Sequence, residues 1–307
     1  MDGLVERQSE GLDALEKVAR HDLACLNHPP ANWVPERRGP DGRPVLDVLV
    51  VGAGMCGQTV GFALRREGIR NVRVIDRAPH GKEGPWNTTA RMPILRSPKH
   101  LTGPDLGVPS LTFRAWWEAQ HGAAGWDKLY KIARLDWLAY LLWVRETVGL
   151  AVENGVALEG LRPAGELVQA RLSTGEVVQV RHVVLASGRD GAGGFRWPRF
   201  PSFDPADPRR RGKVWHTLED IDFASLRGKR IGVLGVLATA IDNAATALEA
   251  GAREAICFAR RPHLPQVNKA KGISFRGFQR GWAMLNDDRR WRLYSYMLAA
   301  GSPPPHE

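Results

Sequence analysis

The sequence predicts an α/β fold in which one unit (strand, glycine turn, helix, strand) occurs twice, with a small antiparallel β-meander between the copies. Three observations carry this. Residues 45–51 form an apolar run broken only by Asp47, as a strand buried on both faces should read. The run opens into glycines at Gly52, Gly54 and Gly57, and Val60, Phe62, Ala63 and Leu64 then give an apolar helix face. A second apolar run, residues 231–234, reaches Gly235 and another helix.

The first unit continues into a strand at 72–75 closed by Asp76. An acidic side chain about 20 residues past such a loop accepts hydrogen bonds from a ribose hydroxyl pair. The glycines permit a tight turn, close approach of backbone to pyrophosphate, and close packing of helix on strand. Together they read as a dinucleotide site.

Ahead of this unit, Leu12, Leu15, Val18, Ala19, Leu23 and Leu26 recur at helical spacing over 9–26. Pro29, Pro30 and Pro35 end that helix, and 1–44 is expected as an N-terminal helical extension. After Asp76 a long irregular stretch, 77–112, is rich in Pro, Gly, Arg and Thr; loops of that length are usually functional or disordered. Trp86, Met92, Ile94 and Leu95 argue for an ordered segment that covers a cofactor. Helices are expected at 113–121 and 135–147. Residues 151–184 turn to short alternating strands with turns at Gly165 and Thr174-Gly175-Glu176, a meander leading into a buried strand at 183–188.

A Pro-rich joint at 197–208 precedes the second unit, whose helix runs through 242–250 and whose second strand, 255–259, ends in Arg260-Arg261. The expected domains are 45–195 and 196–307, the latter with a C-terminal helical tail.

Composition narrows the class. The chain has 307 residues, 43% hydrophobic and 25% charged, which is globular. No stretch approaches the ~18 to 20 apolar residues of a membrane span, and the first ten residues lack a secretory h-region, so a cytoplasmic protein with no membrane partner is expected. Cys25, Cys56 and Cys257 are far apart and form no C-x-x-C pair, so neither zinc nor a dithiol redox centre is indicated. The net charge of +10 is scattered and not interleaved with stacking aromatics, so no nucleic-acid partner is expected.

The first glycine motif with Asp76, Gly84-Pro85-Trp86, the strand end at 185–188, the stretches 211–216 and 221–223, and the second turn with Arg260-Arg261 together carry a resemblance. The chain resembles the two-dinucleotide-domain flavoproteins, and within them the flavin-containing monooxygenase-like group, with two Rossmann-like dinucleotide-binding units. The likeness covers about residues 45–280. It implies FAD in the first unit and NADPH in the second. Gly52, Gly54 and Gly57 would cradle the FAD pyrophosphate and Asp76 its ribose, with Arg77 beside it and Ser187 and Gly188 at the neighbouring strand end. Trp86 would lie near the isoalloxazine, against the alternative of a core tryptophan. Arg91 and Arg96 would meet phosphate or a nicotinamide ribose, against solvated arginines, and Val156 would touch adenine. Gly235 would open the NADPH turn. Arg260 and Arg261 would clamp the 2′-phosphate, since a guanidinium makes two parallel bonds to it.

The resemblance implies an FAD-dependent, NAD(P)H-using oxidoreductase that transfers oxygen to a small-molecule substrate through a C4a-(hydro)peroxyflavin, with molecular oxygen as co-substrate. No catalytic side chain or metal ligand is assigned. An NAD(P)H oxidase or flavin reductase, or a truncated FAD-binding protein without turnover, stands as the alternative.

Three departures qualify the likeness. Leu237 replaces the second glycine of the second turn, where a side chain obstructs approach to pyrophosphate. Arg210 stands where an aromatic is common; nearby His216 reads as a structural histidine. The family's returning C-terminal strand is not seen before residue 307, so the sequence is expected to be a truncated member, with a homo-oligomer or a complementing C-terminal fragment as partner.

Overall fold

A computed structural model describes residues 2–101, 103–188, 191, 193–198, 200, 203–260 and 276–300. The chain divides into two compact units, Met1–Asp220 and Ile221–Glu307.

The first unit is a six-stranded sheet with helices. Its strands are β1 (Leu46–Val51), β2 (Val72–Asp76), β3 (Glu153–Asn154), β4 (Leu158–Ala164), β5 (Leu167–Leu172) and β6 (Val177–Leu185), in the order β3-β2-β1-β6-β5-β4. β1 is parallel to both neighbours, with Val51 opposite Ile75 on one side and Leu185 on the other. β4, β5 and β6 are antiparallel. The meander is therefore not a separate layer, because its last strand is itself the parallel neighbour of β1. Nor is that strand buried as expected: Val183 and Val184 are half-buried and Leu185 is exposed.

The continuous apolar run of β1 is explained by its position. Val48 and Val50 face one core with Phe62, Leu111, Phe113, Trp137 and Tyr140; Leu49 and Val51 face a second with Ala170, Leu172 and Val180. Alternate side chains of a strand point to opposite faces, so a central strand between two cores has no polar side. The larger core is built by α1 (Asp2–Cys25), α2 (Met55–Arg66), α3 (Phe113–Lys128) and α4 (Arg134–Thr147). α1 buries Ala19 and Leu23, and its Asp22 accepts from Ser110 Oγ at 2.6 Å.

Thr112 caps α3 by accepting from Ala115 N (3.2 Å), and at Gly122, φ +68°, the helix kinks. Phe113 lies within 5.3–6.5 Å, centroid to centroid, of Trp116, Trp126, Trp137 and Tyr140. Such pairs add about 0.5–1.5 kcal/mol each beyond burial. Tyr140 satisfies its hydroxyl on Leu111 O at 2.7 Å, and burial pushes that phenol well above its ordinary pKa. This cluster holds the helices against the face that carries the glycine turn.

The second unit pairs β7 (Arg230–Leu234) with β8 (Glu254–Phe258) in parallel, joined by α5 (Ala238–Glu249). Val233, Ala240 and Ala244 form its small core with Ile231, Ala255 and Cys257. α6 (Arg276–Trp282) and α7 (Asp287–Ala300) follow. Among the described residues no helix is long and apolar enough to cross a membrane.

Candidate dinucleotide site

At the C-terminal end of β1 the chain turns sharply. Gly52 has φ +100°, and its N–H donates to Ile75 O at 2.8 Å. A Cβ there would meet Ala186 O at 2.5 Å, and one at Gly57 would meet Gly52 O at 1.7 Å. The fold itself demands these two glycines. Gly54 is different. It is the extended N-cap of α2 (φ −64°, ψ −175°), and an added Cβ would find nothing nearer than Gly84 Cα at 3.6 Å. A Cβ would make only ordinary van der Waals contact there, so the turn itself does not require this glycine. Pyrophosphate lying on the first-turn N–H groups of a helix needs that open backbone. The cradle fits FAD.

Asp76 closes β2 and is only 9% exposed. Its Oδ2 accepts from Ala53 N at 2.7 Å and its Oδ1 from Ala78 N at 2.8 Å. Gln58 Nε2 donates to Ala53 O at 3.0 Å, so the second residue of the turn is held from both sides. Asp76 therefore braces the glycine loop. Each carboxylate oxygen keeps a second lone pair for a ribose hydroxyl. Val156 is half-buried, and its N–H donates to Asp76 O at 3.0 Å, which sets it beside Asp76. Arg77 is exposed next to Asp76.

Trp86 is half-buried and meets Trp137 edge-on at 6.4 Å. It takes part in the core packing two residues past Gly84, where an added Cβ would lie 3.7 Å from Gly54 Cα. Arg134 holds this loop by donating to the carbonyls of Trp86 and Met92. Ser187 Cα would lie 3.1 Å from a Cβ on Gly52, and Gly188 follows at φ +66°. The structure thus gathers Gly52, Gly54, Gly57, Asp76, Trp86, Val156 and Ser187 at one end of β1.

The loop arginines are placed differently. Arg91 donates to Thr88 O (2.7 Å) and Glu219 O (3.2 Å), and desolvation by burial lowers its pKa. Arg96 is exposed, and its carbonyl accepts from Lys131 Nζ at 2.7 Å. Both are tied into the loop scaffold by these bonds.

A polar node that no motif announces lies beside the loop. Arg145 Nη1 donates to Glu83 Oε1 at 2.7 Å, and Asn154 Nδ2 donates to the same oxygen at 2.7 Å and to Ala78 O at 3.0 Å. Burial pushes the Glu83 carboxyl up. The amide of Asn154, the residue's own N–H and the Arg145 guanidinium outweigh that and hold it below the usual carboxylate range.

In the second unit Gly235 repeats Gly52, with φ +117° and its N–H on Phe258 O at 2.9 Å. Leu237 repeats Gly54 as the extended N-cap of α5 (φ −91°, ψ 175°), and it is 58% exposed. Arg260 is exposed just past β8; Arg261 lies outside the described residues. His216 stacks on Phe195 at 4.6 Å, and its Nδ1 accepts from Leu218 N at 3.3 Å, a structural role. Arg210 lies over Trp197 at 4.8 Å and pairs with Glu219 at 3.0 Å. The cation clasps the aromatic group from across the loop.

A surface crevice of about 550 Å³ opens elsewhere, between Val45, Asn71, Arg73 and residues 175–179. It lies at the opposite end of β1 from the glycines and has none of the cradle's features.

Comparison with known proteins agrees with this geometry. Residues 49–190 match a family model described as FAD-NAD(P)-binding. The chain is 44% identical over 298 residues to the FAD-dependent urate hydroxylase of Xanthomonas campestris pathovar campestris, covering 96% of this chain and 62% of that protein. It thus spans less than two thirds of that relative's length. An ornithine N-hydroxylase structure from a Kutzneria species superimposes with a TM-score of 0.60 at 15% identity, covering 84% of this chain and 64% of that one. A flavin-containing monooxygenase from Stenotrophomonas maltophilia gives 0.53 at 22%, covering 71% and 59%. These structures share the fold of the chain.

Proposed function

We propose that the chain binds FAD at the first glycine turn and acts, alone or as part of a longer protein, as an NADPH-using flavin-dependent monooxygenase. The observation that carries this is Gly54: a glycine the protein's own packing does not require, at the N-terminus of a helix, beside a braced acidic residue. The likeness to the Xanthomonas relative supports the reaction class, and urate, which that relative's name gives as the compound hydroxylated, is the first small molecule to test.

In this reading the first-turn amides of α2 hold the pyrophosphate, Asp76 and Val156 the adenosine, and Trp86 lies toward the flavin ring. FAD, held there by these residues, would supply the redox chemistry toward molecular oxygen, which enters as co-substrate. The chain's part is to orient it and exclude water. Gly235 and Arg260 suit NADPH in the second unit. A homo-oligomer, or a fragment matching the part of the relatives that this chain does not span, is part of the reading, as is a cytoplasmic setting in which its unpaired cysteines stay reduced.

Leu237 favours a second reading, an FAD protein that NADPH does not reduce. The experiment is to purify the protein, record its flavin absorbance, and add NADPH anaerobically. Bleaching followed by urate-dependent reoxidation with product is expected. A colourless protein that takes up no FAD would sink both readings. Flavin that NADPH leaves oxidised would select the second.

A further inference from the structure

The Glu83–Arg145–Asn154 node costs more than its place in the fold accounts for. Glu83 is 3% exposed, and its Oε2 is buried with no hydrogen-bond partner among the described residues. Buried carboxylates are normally fully matched, and a well-packed apolar group would serve stability as well as a buried ion pair does. What the node does supply is geometry. Asn154 ties both Ala78, two residues past Asp76, and Glu83, one residue before Gly84. Gly155 N also reaches Ala78 O at 3.3 Å. Arg145, from α4, locks the arrangement from a third element.

We propose that Glu83 is a positioning residue for the dinucleotide of the first unit: anchored by Asn154 and Arg145, it sets the span between the ribose brace at Asp76 and the cradle wall at Gly84. The inference rests on the FAD reading above. In that reading adenosine and pyrophosphate would lie across that span, so a loop released at Glu83 would seat the cofactor differently while the glycine turn itself stays intact. Asp76 keeps its bonds to Ala53 and Ala78 when Glu83 is changed, which separates this role from that of the brace.

The test compares wild-type protein with E83A, N154A and E83Q. FAD affinity is measured by fluorescence titration, the seating of bound flavin by visible circular dichroism, and folding by far-ultraviolet circular dichroism. E83A should weaken FAD at least tenfold and alter the visible spectrum. N154A, which keeps the Glu83–Arg145 pair, should do so less. E83Q, nearly isosteric and still offering an acceptor oxygen, should recover most of the loss. If E83A does not fold, N154A and E83Q carry the comparison. Folded variants that bind FAD within twofold of wild type, with its spectrum, overturn the inference even if they melt earlier. A wild type that takes up no FAD overturns the FAD reading and this inference together.

Discussion

At the first glycine turn the residue capping the helix is Gly54; at the second it is Leu237, and the backbone is extended in both. The turns agree elsewhere. Each opens with a glycine at strongly positive φ whose N–H reaches the end of the adjoining strand, and each keeps a small residue, Gly57 or Ala240, at the third position. The difference separates two constraints that a glycine motif usually merges. Gly52 and Gly235 serve the turn, whatever binds there. In the proposed reading the capping position serves a ligand: a Cβ at Gly54 would meet nothing nearer than Gly84 Cα at 3.6 Å, and Leu237 is 58% exposed. A fold can therefore keep its turn and lose its cradle by one substitution.

The largest effect should come from the third position. Gly57→Ala drives a Cβ to within 1.7 Å of a backbone oxygen, so α2 must shift, at a cost of about 3 kcal/mol. The reciprocal Ala240→Gly leaves its helix intact and should cost only about 1 kcal/mol. Thermal unfolding of the two variants checks the asymmetry, and equal losses would break the claim that the first turn is the tighter one.

Exchanging the capping residues comes next. Gly54→Leu should leave the apo melting point near wild type and weaken FAD at least a hundredfold, about 2.8 kcal/mol. Leu237→Gly should strengthen NADPH binding about tenfold. Both are read by titration. FAD binding unaffected by Gly54→Leu would remove the cradle from the account.

Much of this was legible in the sequence because it is local. The β1 run, the glycines, α2 and Asp76 follow one another within about thirty residues and obey simple periodicities. Leu237 was legible for the same reason. What was not legible depends on distant partners. Glu83 meets Arg145 across 62 positions and Asn154 across 71, and in sequence it is one more charge in a polar loop. The place of β6 depends on pairing with β1, more than a hundred residues earlier, which alternation in the meander does not encode. Arg210 looked like a missing aromatic until Trp197 appeared beneath it.

A smaller effect should distinguish the units by pH. His28 packs edge-on against Phe62 of α2 at 5.2 Å; burial, then Arg65, then Arg66 lower its pKa from 6.5. The unfolded chain therefore takes up the proton first as pH falls. Stability from this group is full above about pH 6.5, declines below it, and levels off under the folded pKa. Hydrogen exchange in α2, taken relative to the intrinsic chemical rate at each pH, should rise from pH 7 to 5, and His28→Gln should flatten that profile. The same rise in α5 would show a cause shared by both units.

The smallest effect concerns Arg260. It stands just past β8, where the first unit has Arg77 just past β2, yet Asp76 closes β2 with a carboxylate while β8 ends at Phe258. An acidic strand end suits a ribose hydroxyl pair; one followed by a guanidinium suits a 2′-phosphate. Because Arg260 is exposed, water and salt screen most of its attraction. Arg260→Ala should reduce the preference for NADPH over NADH only about threefold, and more clearly in the Leu237→Gly background, where the dinucleotide can approach the backbone. If the preference is unchanged there too, Arg260 does not read the phosphate, and the second turn's selectivity lies outside the strand-end logic that the first turn obeys.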